Sequence, residues 1–152
     1  MPKKEKVLEI SQSVKAMAEK VIAEEGLDLV GATIEYLLVH PSISDTVAGR
    51  CIRSNRELNF FTKLNYIIEM SGELWNSLDE KTQYILTFHE LLHINPVINA
   101  RTGEVVYKLI DHDVKDFMRI IEKYGIDWFK TLKTHMSSVY ELEPKDERSI
   151  RL

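Results

Sequence analysis

The run from Ser77 to Pro96 constrains this chain most, because its two ends and its interior agree on one element. Ser77 or Asp79 can cap a helix, Asp79 and Glu80 put acidic groups in its first turn, and Pro96 stops it. The spacing predicts a helix from about Asp79 to Ile94 or Asn95. Stepping ~100° per residue from Phe88 puts Tyr84, Ile85, Leu91 and Leu92 within about 60° of it, which defines a core-facing stripe. On the same wheel His89 and His93 fall near 100° and 140°, beside the stripe. The helix can therefore pack on a core while aiming both imidazoles into a cleft at its margin.

Other elements can be read around it. Val7, Ile10, Val14, Met17, Ala18, Val21 and Ile22 recur at helical spacing, predicting a helix from about Lys4 to Glu25 with Gly26 at its end. Thr33 to Val39 is short and rich in strand formers, Thr46 to Ser54 is a weaker strand, and Leu64 to Met70 alternates. After Pro96 come a loop at Arg101-Thr102-Gly103 and a short strand from Val105 to Ile110. Val114, Phe117, Ile121 and Tyr124 mark a helix starting at His112 or Asp113 and stopped by Gly125. Asp127 opens a last short helix through Trp128, Phe129 and Leu132. The expectation is an α+β fold in which a small mixed or antiparallel sheet packs on the helix carrying His89 and His93, with further helices before and after. One domain is expected over residues 1–136, followed by a charged, loosely docked tail over 137–152.

The chain has 152 residues, 44% hydrophobic and 29% charged, as in ordinary globular proteins. One cysteine, Cys51, rules out an internal disulfide and any cysteine-built zinc or iron–sulfur site. No apolar run approaches the ~18 residues of a membrane span, and the basic N-terminus leads into an amphipathic pattern rather than a signal peptide. Cytoplasmic residence is the expectation. A net charge of −4 does not indicate nucleic acid as a partner.

Residues 89–93 read His-Glu-Leu-Leu-His. Side chains four apart on a helix lie one turn apart on the same face, so His89 and His93 can reach one ion. Two histidines leave a four-coordinate zinc short of ligands, and a third protein ligand plus a water completes a catalytic site. Glu90 is placed to take a proton from that water rather than to bind the metal. For the third ligand, His112 is favoured, because neutral imidazole is the commonest metal ligand. Asp113 and Asp116 are carboxylate alternatives. Asp113 also suits a helix cap, and Asp116 could instead orient a histidine. The extended H-E-x-x-H-x-x-G-x-x-H pattern is absent, since Pro96 and Asn99 occupy its last two positions. His40, His135 and Cys51 have no partner at ligand spacing. Tyr107 and Tyr124 lack a spacing argument for oxyanion stabilisation, and Trp75 and Trp128 read as packing residues.

Trp75-Asn-Ser-Leu-Asp-Glu, His89-Glu-Leu-Leu-His-Ile, His112-Asp-Val-Lys-Asp-Phe and Tyr124-Gly-Ile-Asp-Trp128 together resemble the phage metallopeptidase family. The likeness spans roughly residues 30–130 and is clearest from Trp75 onward. More distantly the layout is similar to SprT-like proteases, without their cysteine-rich ribbon. The resemblance implies a zincin-like fold, one zinc ion per chain held by His89, His93 and His112, and Glu90 as catalytic base and acid. It implies a zinc-dependent metallopeptidase acting on a peptide or protein substrate. The same residues also suit a protein of another class, a zinc-containing binding or regulatory module without peptidase activity.

Overall fold

The structure is a computed structural model and describes residues 5–111 and 116–152. The chain opens with strand β1 (Val7–Ile10) and helix α1 (Gln12–Glu25), where the sequence predicts one continuous helix. Ser11 makes the division. Its hydroxyl accepts from the Val14 amide at 3.1 Å, the bond of a helix N-cap, and its own amide donates to the Tyr36 carbonyl at 2.9 Å. Val7 and Ile10 fit a helical stripe by spacing, yet they are 59% and 68% exposed on a strand. Pairing with β2 outweighs the local pattern. Gly26 ends α1 as predicted, with φ 63° and its amide bonded to the Ile22 carbonyl.

Strands β2 (Ile34–His40) and β3 (Gly49–Arg53) follow, then α2 (Arg56–Thr62) and β4 (Tyr66–Ser71). The sheet order is β1-β2-β4-β3. Only the central β2–β4 pair is parallel, so the sheet is mixed. Helix α2 escapes the sequence reading because none of its residues is buried and it carries no apolar stripe. What starts it is the Asn55 side chain, which accepts from the Leu58 amide at 2.7 Å. Helix α3 (Gly72–Ser77) seats Trp75, 1% exposed, with its indole N–H donating to Ser13 Oγ at 3.1 Å.

Helix α4 (Glu80–Leu91) stops short of its predicted end. Ile94–Ile98 forms strand β5 instead, paired antiparallel with β6 (Val105–Leu109) in a separate two-stranded sheet. Pro96 lies within β5 opposite Tyr107, a position that an edge strand tolerates and a helix does not. Helix α5 (Met118–Tyr124) has Phe117 as its N-cap, so Asp116 and Phe117 precede it. The predicted start at His112 or Asp113 lies outside the described residues. Helix α6 (Asp127–Tyr140) runs well past Leu132, burying Trp128, Leu132 and Met136 at four-residue spacing. It thus passes through the expected domain end at 136. Beyond it come α7 (Pro144–Glu147) and a bridge between Arg151 and Val47, with Ile150 only 4% exposed.

Helices α1, α3 and α4 pack on the sheet, and α4 is flanked by α1, α5 and α6. Tyr66, Ile68, Met70, Leu86 and Phe88 meet in the core with no exposed surface. Each such aliphatic or aromatic side chain contributes roughly 1.5–3 kcal/mol through burial. The architecture is α+β, a small mixed sheet with several helices. Among the described residues no helix is long and apolar enough to cross a membrane.

Candidate metal centre

Residues Ile85 to Leu91 of α4 are all buried. The wheel places His89 at the margin of the apolar stripe, but His89 and Glu90 both have no exposed surface. The difference is tertiary. One flank of α4 is covered by β3, whose Gly49 stands over Glu90: a Cβ there would lie 3.2 Å from Glu90 Oε2 and 2.7 Å from Met70 Sδ. The other flank is covered by Asp116 and Trp128.

His89 Nδ1 donates to Asp116 Oδ1 at 2.6 Å. Asp116 is itself 6% exposed and also accepts from Trp128 Nε1 at 2.9 Å and the Phe117 amide at 2.8 Å. His93 is held differently. Its Nδ1 donates to the Ile110 carbonyl at 2.7 Å, and the Ile110 amide returns a bond to the His93 carbonyl at 2.8 Å. A carbonyl or carboxylate oxygen only accepts, so each imidazole carries a proton on Nδ1, and its neutral form has the lone pair on Nε2. The two rings are 5.1 Å apart between centroids.

Glu90 lies between them in sequence and close in space, its Oε1 4.0 Å from His93 Nε2. Neither carboxylate oxygen has a hydrogen-bond partner among the described residues. Burial pushes this carboxyl up to about 8 from its ordinary 4.5, and the charge of Asp116 adds to the shift. A carboxylate buried without a partner is costly unless a cation or proton meets it. One ligand atom from each of His89, Glu90 and His93 falls within 4.8 Å of the others. Two oriented imidazole lone pairs beside a carboxylate form a donor set that suits a divalent transition metal, so the residues fit a metal ion.

The group opens into a cleft of about 410 Å³. Its walls are Arg50 and Cys51 of β3 on one side and Leu109 to Asp111 at the end of β6 on the other, with Glu90 and His93 at the floor. The Arg50 Nε is tied to the buried carboxylate of Glu69. Burial pushes the Cys51 thiol well up, Glu90 adding a smaller effect.

Of the residues singled out in the sequence, the structure brings together His89, Glu90, His93 and Asp116. Asp116 touches His89 and stands among the alternatives as a histidine partner. His112 and Asp113 lie outside the described residues. Trp128, read as packing only, also donates to Asp116. A buried indole N–H needs an acceptor, but nothing local says which one. Tyr107 donates to the Val30 carbonyl at 2.7 Å, and Tyr124 packs edge-on against Phe88 and Tyr84. His40 pairs with Glu9 at 2.8 Å. The Ile110 carbonyl could not have been found from sequence, since every residue carries one.

The profile of a family described as putative phage metallopeptidase matches residues 6–139, most of the chain. No curated protein and no solved structure matches it. The match spans the sheet, α4 and both partners of the two histidines, and on it the chain belongs to the putative phage metallopeptidase family, whose description implies a bound metal and a peptide or protein substrate.

Proposed function

We propose that this chain is a zinc-dependent metallopeptidase of zincin-like fold, with one zinc ion held by His89, His93 and His112, and that it acts in the cytoplasm. The observation that carries the reading is the arrangement at the C-terminal end of α4: His89 in its last turn and His93 in the turn just beyond it both have Nδ1 committed to an acceptor, and their donor atoms lie within 4.8 Å of a buried, unpartnered carboxylate. Zinc bound there would lower the pKa of water toward ~7 and polarise the scissile carbonyl. Glu90 takes the proton of the attacking water and returns it to the leaving amine. Its dry setting suits this role, because burial favours the protonated form and so strengthens the carboxylate as a proton acceptor. Asp116 and the Ile110 carbonyl engage Nδ1 of the two rings, which leaves Nε2 as the atom that would hold an ion. The Asp116 contact supports an orienting role over direct ligation, since Oδ1 is bonded to His89 and Oδ2 to Trp128.

The test is zinc content and peptide hydrolysis measured together. Wild type should hold about one zinc per chain. Glu90→Gln should retain the zinc and lose turnover, and His112→Ala should lose most of the zinc. Full activity in Glu90→Gln would sink the mechanism, and equal zinc in wild type and His112→Ala would move the third ligand elsewhere. A chain that binds zinc but cleaves no peptide would instead be a zinc-containing binding module.

A further inference from the structure

Leu152 lies in the cleft just described. Leu152 lines it together with Arg50, Cys51, Glu90 and His93. It reaches that place because Arg151, just before it, forms a one-residue bridge with Val47. The Arg151 amide donates to the Thr46 carbonyl at 2.7 Å, the Ala48 amide donates to the Arg151 carbonyl at 2.9 Å, and the Val47–Arg151 bridge is parallel. Residues 46–48 lead directly into β3, the edge strand of the sheet. The next residue is Gly49, which stands over the Glu90 carboxylate.

We propose that Ser149–Leu152 is an intramolecular occupant of the peptide-binding edge of this cleft, which an extended substrate must displace. The proposal rests on the peptidase reading for the identity of the competitor, but not for the occupancy itself. An extended peptide recognises an open sheet edge through main-chain hydrogen bonds, and the two bonds that Arg151 makes to Thr46 and Ala48 are of that kind. Ala48 has no exposed surface, so its amide needs an acceptor at all times. An incoming strand can supply that acceptor as the tail withdraws, which makes the event an exchange of like bonds. The tail is also loosely flanked. A second cavity of about 580 Å³ lies along Arg148–Leu152, bordered by Thr46 and Phe129. Ile150 is its one buried anchor. A tethered occupant competes at high effective concentration, so it raises the apparent KM without altering the chemistry at Glu90.

Two variants test this: Arg151→Pro, which removes the amide bonded to Thr46 and leaves Ile150 in place, and a chain ended after Arg148. The first readout is the rate at which a small neutral disulfide reagent modifies Cys51, the one cysteine of the chain, at a fixed pH. Modification should be several-fold faster in both variants, and the synthetic peptide Ser-Ile-Arg-Leu, added in excess, should slow it again in the shortened chain. Unchanged rates would overturn the proposal. So would a faster rate that the peptide does not reverse, because that marks a loosened fold rather than a cleared cleft. The second readout is peptide hydrolysis by the zinc-loaded proteins. A several-fold lower KM at equal kcat in the variants supports the competition, and an identical KM overturns it. If Cys51 responds as expected while no chain hydrolyses peptide, the occupancy stands and the peptidase reading falls.

Discussion

The two sides of the candidate metal centre hold their histidines by different means. On the inner side, His89 is fully buried and is fixed by a side chain, Asp116, which Trp128 holds in turn. On the outer side, His93 keeps 14% of its side chain exposed and is fixed by the main-chain carbonyl of Ile110 where β6 ends. A side-chain partner depends on one residue and can be deleted. A main-chain partner depends only on where the backbone runs, so it survives almost any substitution at that position. The inner side is therefore the chemically vulnerable half of the site, and the outer side is vulnerable only through the placement of the β5–β6 hairpin.

Asp116→Ala should break the inner side with the largest effect. It strips His89 Nδ1 and Trp128 Nε1 of their acceptor, at about 1–3 kcal/mol for each buried donor left unsatisfied. Zinc affinity should fall ~10–100-fold, as for loss of a carboxylate behind a ligating histidine. Thermal melts with and without zinc and a zinc titration would measure both; an unchanged affinity would remove Asp116 from the orienting role. Trp128→Phe should do less. It keeps most of the apolar bulk and removes one bond to Asp116, so about 1.5–3 kcal/mol of stability is expected to go, as for hydrogen bonds to charged groups. Zinc affinity should drop by a smaller factor than in Asp116→Ala, and a drop as large would mean that the indole, not the carboxylate, sets the geometry.

The outer side is probed through the hairpin's anchor. Tyr66 has no exposed surface and its hydroxyl donates to the Lys108 carbonyl at 2.6 Å, two residues before Ile110. Tyr66→Phe should cost ~1 kcal/mol in a denaturant melt and change zinc affinity least of the three. A zinc-affinity loss matching that of Asp116→Ala would show that hairpin placement controls the site as strongly as the inner carboxylate, and would erase the distinction between the two sides.

The same contrast explains what could be read from the sequence. His89, Glu90 and His93 were legible because helix periodicity is local, and the grouping holds although α4 ends at Leu91 and leaves His93 in the turn beyond it. Asp116 was legible as a candidate but not as the partner of His89, since two other acidic residues stood nearby in sequence. Ile110 was not legible at all. In the fold, the C-terminal end of α1 and the strands β2 and β4 were readable from Gly26 and from strand formers in short runs. The β1 strand was not, because Val7 and Ile10 fit a helix by spacing and only β2 made them a strand. Nor was β5, where Ile94 and Val97 continue an apolar pattern past the helix end until β6 pairs with it. Helix α2 buries nothing, so periodicity had no purchase on it.

The sequence by itself determined the chemistry at the end of α4: two imidazoles and a carboxylate within five residues, with a proline that forbids the helix to continue. The tertiary structure alone decided that this face is buried rather than marginal, which carboxylate and which carbonyl orient the rings, and that Leu152 lies in the cleft. The physical reason is range. Spacing along a helix is set by bonds between near neighbours, whereas burial, orienting partners and an occupied edge depend on contacts such as His89–Asp116, Tyr66–Lys108 and Ala48–Arg151, which join residues far apart in the chain.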